Sequence, residues 1–242
     1  MVNFIYLILV ISDMQTQQYY FLLLDLLLLA APFLMNLYFR NLAIKSFIFN
    51  FLKTYSIVGI AITLFVSLLV SRGDLTFNSK FLTGTLVTGM PIEVVLFLFA
   101  APFASIALYE FITTQFKDKR IALDNSIFYM LAFTYAVLTV VFSNFTLTGN
   151  IFLLMTVLML AASYFKKNNV FLTKNFFVYS LFSLIAFILI AIVLTASPFI
   201  THAKSAVTGF NIGAIPFESF FLSFFILSTF LTVYYLFKNR NI

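Results

Sequence analysis

Cysteine and tryptophan are missing from this chain of 242 residues, and histidine occurs once, as His202. Without cysteine there is no thiol nucleophile, no disulfide, no haem attachment and no iron–sulfur ligation. A lone histidine makes the usual metal sites poor readings, and no orienting carboxylate lies near it in sequence to build a Ser-His-acid triad. In the segment before the last apolar run, His202 reads as an exposed histidine with no duty. No glycine-rich phosphate loop of the Walker or dinucleotide type is present. The last apolar run, 215–237, holds no lysine, which excludes a retinal Schiff base of the seven-helix kind. No metal and no cofactor is expected.

Charge is also scarce, at 9% of residues, while 63% are hydrophobic. A bilayer-spanning helix takes about 20 apolar residues, and seven runs qualify: 19–39, 54–71, 86 or 91 to 110, 126–143, 150–165, 175–197 and 215–237. The fifth is the weakest. These runs are apolar on every face rather than alternating, so helices account for them better than the strands of a barrel. The expected fold is all-α, an integral membrane bundle of seven transmembrane helices. Residues 1–18 read as a non-spanning tail: its apolar stretch is too short to cross, and no basic flank makes it a signal peptide. Either Met14 is the true start or the tail rests on the surface.

The basic residues divide between the two sides of such a bundle. Arg40, Lys45 and Lys53, then Lys117, Lys119 and Arg120, then Lys166, Lys167 and Lys174, then Lys238 and Arg240 fall on one side, leaving Arg72, Lys80 and Lys204 of the 14 on the other. An excess of Lys and Arg in short loops marks the cytoplasm. The amino terminus is expected outside and the carboxy terminus inside the cell membrane. The formal charge of +6 follows from topology and anionic lipid; no basic stripe with stacking aromatics points to nucleic acid.

An internal repeat organises the chain. Thr83-Gly84 precedes Pro91-Ile92-Glu93, and 125 positions later Thr208-Gly209 precedes Pro216-Phe217-Glu218 in the same register; Tyr109 and Tyr234 keep that offset. Repeats of this kind build a fold from like units. We read a first repeat over 19–112 (helices one to three), a link with helix four over 113–149, and a second repeat over 150–242 (helices five to seven). The two three-helix units run parallel, and facing each other they would bring Glu93 and Glu218 toward a shared pseudo-twofold interface.

Carboxylates in lipid-facing sequence are costly and are functional candidates by default. Asp25, Glu93 and Glu218 lie near the outer ends of their helices, Glu110 at an inner end. In apolar surroundings, without an intramembrane cation, such a cluster is expected to keep at least one proton near neutrality, as a general acid requires. The plainer reading of each Pro-x-Glu is a helix start, with proline first, glutamate third and a favourable dipole. Both roles can coexist. Asp25 reads equally well as an interhelical hydrogen-bonding contact, and Tyr109 and Tyr234 read as interfacial anchors. The 35 phenylalanines mostly serve lipid contact and packing, though ring faces can also stabilise a cation.

The combined pattern resembles the lycopene cyclase domain family. The resemblance covers residues 19–238. It rests on Tyr20-Phe21-Leu22-Leu23-Leu24-Asp25, Phe77-Asn78, Leu82-Thr83-Gly84, Pro91-Ile92-Glu93 with Phe97 and Phe99, Pro102-Phe103-Ala104, Tyr109-Glu110, Val207-Thr208-Gly209 and Ile215-Pro216-Phe217-Glu218. It implies two fused cyclase domains that close β-type rings on the acyclic ends of a linear C40 carotenoid by protonation, carbocation cyclisation and deprotonation, without net redox change. Glu93 and Glu218 are the implied catalytic residues, with Asp25, Glu110, Pro91 and Pro216 supporting them. The implied partners are the carotenoid substrate, the bilayer and other carotenoid enzymes.

Four departures from the family pattern stand out. Val94 and Ser219 replace a second acid after each Pro-x-Glu, Val66-Ser67 replaces a Trp-Asp pair, and His202-Ala203-Lys204 replaces a Tyr-Asn-Glu stretch. A carotenoid- or lipid-binding protein that kept the scaffold without the chemistry is the alternative. A proton-coupled transporter ranks last, because no polar stripe continues to the inner side.

Overall fold

The computed structural model describes residues 19–39, 43–165, 169–196 and 199–240. The tail expected over 1–18, the choice between Met1 and Met14, and Arg40, Lys166 and Lys167 lie outside them. Seven apolar helices make up the described chain: α1 (Tyr20–Phe39), α2 (Ile44–Ser71), α3 (Ile92–Gln115), α4 (Ser126–Val141), α5 (Thr146–Tyr164), α6 (Lys174–Ala196) and α7 (Phe217–Arg240). All but α4 are long and apolar enough to cross a bilayer. The protein is an all-α membrane protein. α4, at 16 residues, is the short one, whereas the sequence pointed to the fifth run as the weakest.

The misjudged helix starts have a common cause, namely polar residues that turn out to be buried. α2 begins at Ile44 rather than near residue 54, because Phe47, Asn50, Phe51 and Thr54 form one buried face while Lys53 lies back over the Phe49 ring, 4.1 Å from its centre. Likewise α5 begins at Thr146, since Thr148 and Gly149 are buried and the amides of Leu147 and Thr148 both donate to the Ala206 carbonyl. Hydropathy counts such residues against a membrane helix; tertiary contacts outweigh that cost.

Short strands close one end of the bundle, which the sequence reading did not foresee. β1 (Leu75–Phe77) pairs antiparallel with β4 (Ile200–His202), and two hairpins, β2 (Leu86–Val87) with β3 (Met90–Pro91) and β5 (Asn211–Ile212) with β6 (Ile215–Pro216), lead into α3 and α7. In the β1–β4 pair, Thr76 faces Thr201, its own repeat counterpart 125 residues on, with the two hydroxyls 2.6 Å apart. A pseudo-twofold axis therefore runs through that pair. Hydrogen bonds obey it: Asn78 N–H donates to Phe199 O at 3.0 Å and Ala203 N–H to Asp74 O at 3.1 Å. Ile92 to Thr85 and Phe217 to Phe210, both 2.9 Å, are a second related set.

Packing exchanges the middle helices. α1 lies on α3 and α5 on α7 within each repeat, but α2 packs chiefly on α7 and α6 chiefly on α3. Phe51 is fully buried in this exchanged seam, 4.9 Å from Phe103 and 6.3 Å from Phe230, ring centre to ring centre. A single π-turn, Tyr55–Gly59, bends α2 there, with the Tyr55 ring lying over Gly59 where a side chain would otherwise stand.

At the end opposite the strands, Lys238 of α7 reaches both carboxylate oxygens of Glu110 on α3 at 2.8 Å. Glu110 sits 17 residues after Glu93 on one helix, roughly 25 Å away at 1.5 Å per residue. It belongs to a second tie between the repeats and not to the cluster of acids at the strand end. Tyr109 and Tyr234, expected as interfacial anchors, are both buried; Tyr109 stacks edge-on against Tyr179 and Tyr234 lies against Glu110. Lys45, Lys53, Lys117, Lys119, Arg120, Lys174 and Lys238 gather toward this same end, with Arg72, Lys80 and Lys204 at the strand end.

The ion pair is partly buried, Glu110 at 12% and Lys238 at 35% side-chain exposure, so its worth falls between that of an exposed pair and a buried one. Glu110→Gln is expected to cost about 1–2 kcal/mol, measured by denaturant titration in detergent. Lys238→Met in the Glu110→Gln background should recover part of that loss, because the remaining charge no longer lacks a partner.

Candidate functional site

Each hairpin delivers a threonine to the glutamate that follows it. After Thr83 the chain turns through Gly84 at φ +83°, and after Thr208 through Gly209 at φ +78°. Nothing lies within 4 Å of the position a side chain would occupy at either glycine, so the left-handed backbone alone demands glycine there. The hairpin turns that follow, at Thr88-Gly89 and Gly213-Ala214, double the chain back so that ten residues after each threonine the first turn of α3 or α7 lies beside it. Both Thr83 N–H and Thr83 Oγ1–H donate to Glu93 Oε1 at 2.7 Å. Thr208 N–H at 2.8 Å and Thr208 Oγ1–H at 2.6 Å do the same to Glu218 Oε1.

The helix-start reading of Pro-x-Glu holds with a shift of one residue, since both glutamates stand in the first turn of their helices. Pro91 and Pro216 end β3 and β6, and their helices begin one residue later, at Ile92 and Phe217. Pro91 makes no side-chain cap, and the Glu93 hydrogen bonds run back across the hairpin to Thr83. The prolines fix where the strand becomes a helix; the glutamates serve the hairpins. Both glutamates are buried, at 0% and 2% exposure. Placed in a first helical turn, each also gains from the positive end of the helix dipole.

In both glutamates Oε1 takes the threonine donors and Oε2 is buried with no hydrogen-bond partner among the described residues. No hydrogen bond therefore joins the two carboxyls to each other. Each has its own neighbour instead. Asp25, fully buried on α1, acts electrostatically on Glu93, and among the described residues no donor reaches either of its oxygens. Glu218 receives a third donor, Thr148 Oγ1–H of α5 at 2.9 Å.

His202 is half-buried in β4 rather than idle on the surface. Burial pushes its imidazole below the ordinary value of 6.5, against the opposing pull of Glu218.

Sequence reasoning singled out Asp25, Glu93 and Glu218, which are all buried, and missed the donors to the two glutamates. Thr83 and Thr208 were legible only as spacing markers, although a threonine ten residues before each acid was the available signal. Thr148 carried none, because its repeat counterpart is Leu23. Asp74 was also missed: its Oδ1 accepts from Thr146 at 2.9 Å while Oδ2 is buried without a partner, and Phe199 stands at its repeat position.

Aromatic rings surround both acids. Phe97, one turn beyond Glu93, and Phe199 each lie 5.6 Å from Phe21, one turn before Asp25. Phe221 beside Glu218 contacts Phe217 at 4.9 Å and Phe152 at 5.4 Å. A cavity of about 40 Å³ between α6 and α7, lined by Ser180, Ser183, Phe187, Phe220 and Ser223 among others, has room for water but not for a bulky ligand. Among the described residues no three His, Asp or Glu side chains come together as metal ligands.

Because the folded-state value of His202 lies below its unfolded value, folding is favoured fully above about 6.5 and loses that contribution as the pH falls through the lower folded value. The unfolding midpoint in detergent should drop as the pH falls below about 6.5, and His202→Gln should flatten that part of the profile. Thr83→Val and Thr208→Val each remove one hydrogen bond to a buried carboxyl group and should cost about 1–3 kcal/mol in the same measurement.

No curated protein and no solved structure matches the chain. A family profile does: the one described as lycopene cyclase matches twice in tandem, over residues 17–112 and 143–237. The two matched stretches carry the two hairpin–glutamate units, and the chain belongs to the lycopene cyclase family.

Proposed function

We propose that the protein closes β-type rings on the acyclic ends of a linear polyene of the lycopene class, with Glu93 and Glu218 exchanging the protons. Membership of the family supports carotenoid cyclisation in general; the bare Oε2 atoms carry the finer reading. A hydrocarbon offers no hydrogen bond, so an acid or base that serves it must keep one oxygen free of protein partners, buried and away from water. Glu93 and Glu218 do so while their other oxygen is tied by threonine.

The chemistry balances as an isomerisation. One carboxylic acid adds its proton to the terminal double bond, leaving a tertiary cation. The next double bond of the end group attacks that cation, a carbon–carbon bond closes the ring, and a carboxylate removes a ring proton to restore a double bond. No redox partner is needed. The phenylalanine faces near both acids stabilise the intermediate cation, and the buried setting keeps water from capturing it.

Repeats over 19–112 and 150–242 with a link over 113–149 are the organisation we assign to this enzyme. Its strand end is assigned to the outside and its lysine-rich end to the cytoplasm. The absence of cysteine makes that orientation directly readable: Lys80→Cys should react with an impermeant thiol reagent on intact cells, and Lys119→Cys only after lysis. In a lycopene-accumulating bacterial host the protein should yield monocyclic or bicyclic carotene by pigment chromatography. Glu93→Gln and Glu218→Gln should each lower normal ring formation by at least about 100-fold; unchanged rings in both variants would remove these residues from the mechanism.

A further inference from the structure

The two half-sites are related by the pseudo-twofold axis, yet helices α1 and α5 equip them differently. At the 125-residue offset Asp25 corresponds to Asn150, and Thr148 corresponds to Leu23. The first half-site thus holds two carboxyl groups, and of their four oxygens only Glu93 Oε1 receives donors, both from Thr83. Asp25 Oδ1 and Oδ2 and Glu93 Oε2 are buried and bare. The second half-site holds one carboxyl group whose Oε1 receives three donors, two from Thr208 and one from Thr148. α1 packs on α3 so that Phe21, one turn before Asp25, lies 5.6 Å from Phe97, one turn after Glu93, which sets the two carboxyls in the same interhelical layer; His202 of β4 is an ionisable neighbour of Glu218.

Two adjacent carboxylates with three unsolvated oxygens in an apolar setting cannot both carry charge; the like-charge and desolvation costs act together, and a shared proton removes both. A single carboxylate held by three donors is in the opposite situation, since each donor stabilises the anion. We propose that the two half-sites divide the labour: the Asp25–Glu93 pair stores the proton that starts cyclisation, with Asp25 as its positioning residue, and Glu218, held by Thr208 and Thr148, is the resident anion that takes the ring proton. This rests on the cyclase reading above for its chemistry, while the location of the stored proton does not depend on any substrate.

One proton leaves Glu93 Oε2 for the less substituted carbon of the terminal double bond, which puts the tertiary cation on its dimethyl carbon, and one leaves the ring for Glu218 Oε2. The cycle closes when Glu218 returns its proton to water and the pair takes one up. As titratable partners of a shared proton, Asp25 and Glu93 form a coupled system, so the proton belongs to the pair rather than to either residue.

The test is infrared spectroscopy of the full-length protein in detergent or lipid at neutral pH without substrate, reading the carbonyl band of protonated carboxyl groups. Wild type should show this band. Asp25→Asn and Glu93→Gln should each shift it, the double variant should abolish it, and Glu218→Gln should leave it unchanged. A band lost in Glu218→Gln but kept in the double variant, or no band in wild type, overturns the proposal. If the double variant does not fold, the shifts in the two single variants decide the matter, since neither should occur if the proton resides on Glu218.

A product readout in deuterated medium separates this result from the fate of the cyclase reading. Glu93→Gln should return unlabelled acyclic substrate, whereas Glu218→Gln should give deuterated products with a misplaced double bond or an added hydroxyl. Unlabelled substrate from Glu218→Gln with an active wild type sinks the division of labour. A wild type with the expected band that cyclises no polyene sinks the substrate reading and leaves the proton's location standing.

Discussion

Burying a carboxylate in a membrane bundle is costly unless the protein supplies donors in place of water, and in this protein a threonine in the loop just before a two-stranded hairpin supplies them. Much of the strand end follows from that requirement. Thr83 and Thr208 must present an amide and a hydroxyl together, which needs a left-handed glycine immediately after them. The hairpin must then return the chain so that the acid opens the next helix, and Pro91 and Pro216 set that junction. The threonines satisfy only one oxygen of each acid, and the other is buried and bare. The same arrangement that makes burial tolerable therefore leaves one oxygen of each acid without a donor.

The two repeats are joined at both ends by unlike means. At the strand end Thr76 meets Thr201 on the axis, with backbone hydrogen bonds disposed evenly about it. At the other end a lysine and a glutamate, Lys238 and Glu110, tie α7 to α3. Between them the aromatic seam around Phe51, Phe103 and Phe230 fills the exchanged contact between α2 and α7. The symmetric end carries the hairpins and acids; the asymmetric end serves as a clamp.

Much of this was legible in the residues, and what was not has physical reasons. Long apolar runs gave the helices, because the bilayer length requirement is a strong filter, and the shared offset of Thr-Gly and Pro-x-Glu gave the repeat. The starts of α2 and α5 were misplaced because Asn50, Thr54, Thr148 and Gly149 are polar or small in sequence and buried in space. The hairpins were missed because strands of two residues have no periodicity to read. Tyr109 and Tyr234 looked like anchors by position, yet packing against Tyr179 and Glu110 buries them. His202 looked idle because its environment is assembled by β4 and Glu218 rather than by its sequence neighbours. The acids themselves were found because an ionisable group in a membrane segment rarely lacks a reason; their threonine donors are ordinary membrane residues and announced nothing.

Helix exchange has a consequence for how such a chain can come apart. With α2 seated on α7 and α6 on α3, neither half encloses a whole bundle, and a break in the α4 connection would leave two fragments with matching open seams. Each fragment would be better completed by the other than by a second copy of itself wherever the halves have diverged, as they have at Asp25 and Asn150 or at Leu23 and Thr148. An architecture of this kind is compatible with existence as one polypeptide or as two obligate mates, and the covalent link governs stoichiometry more than shape.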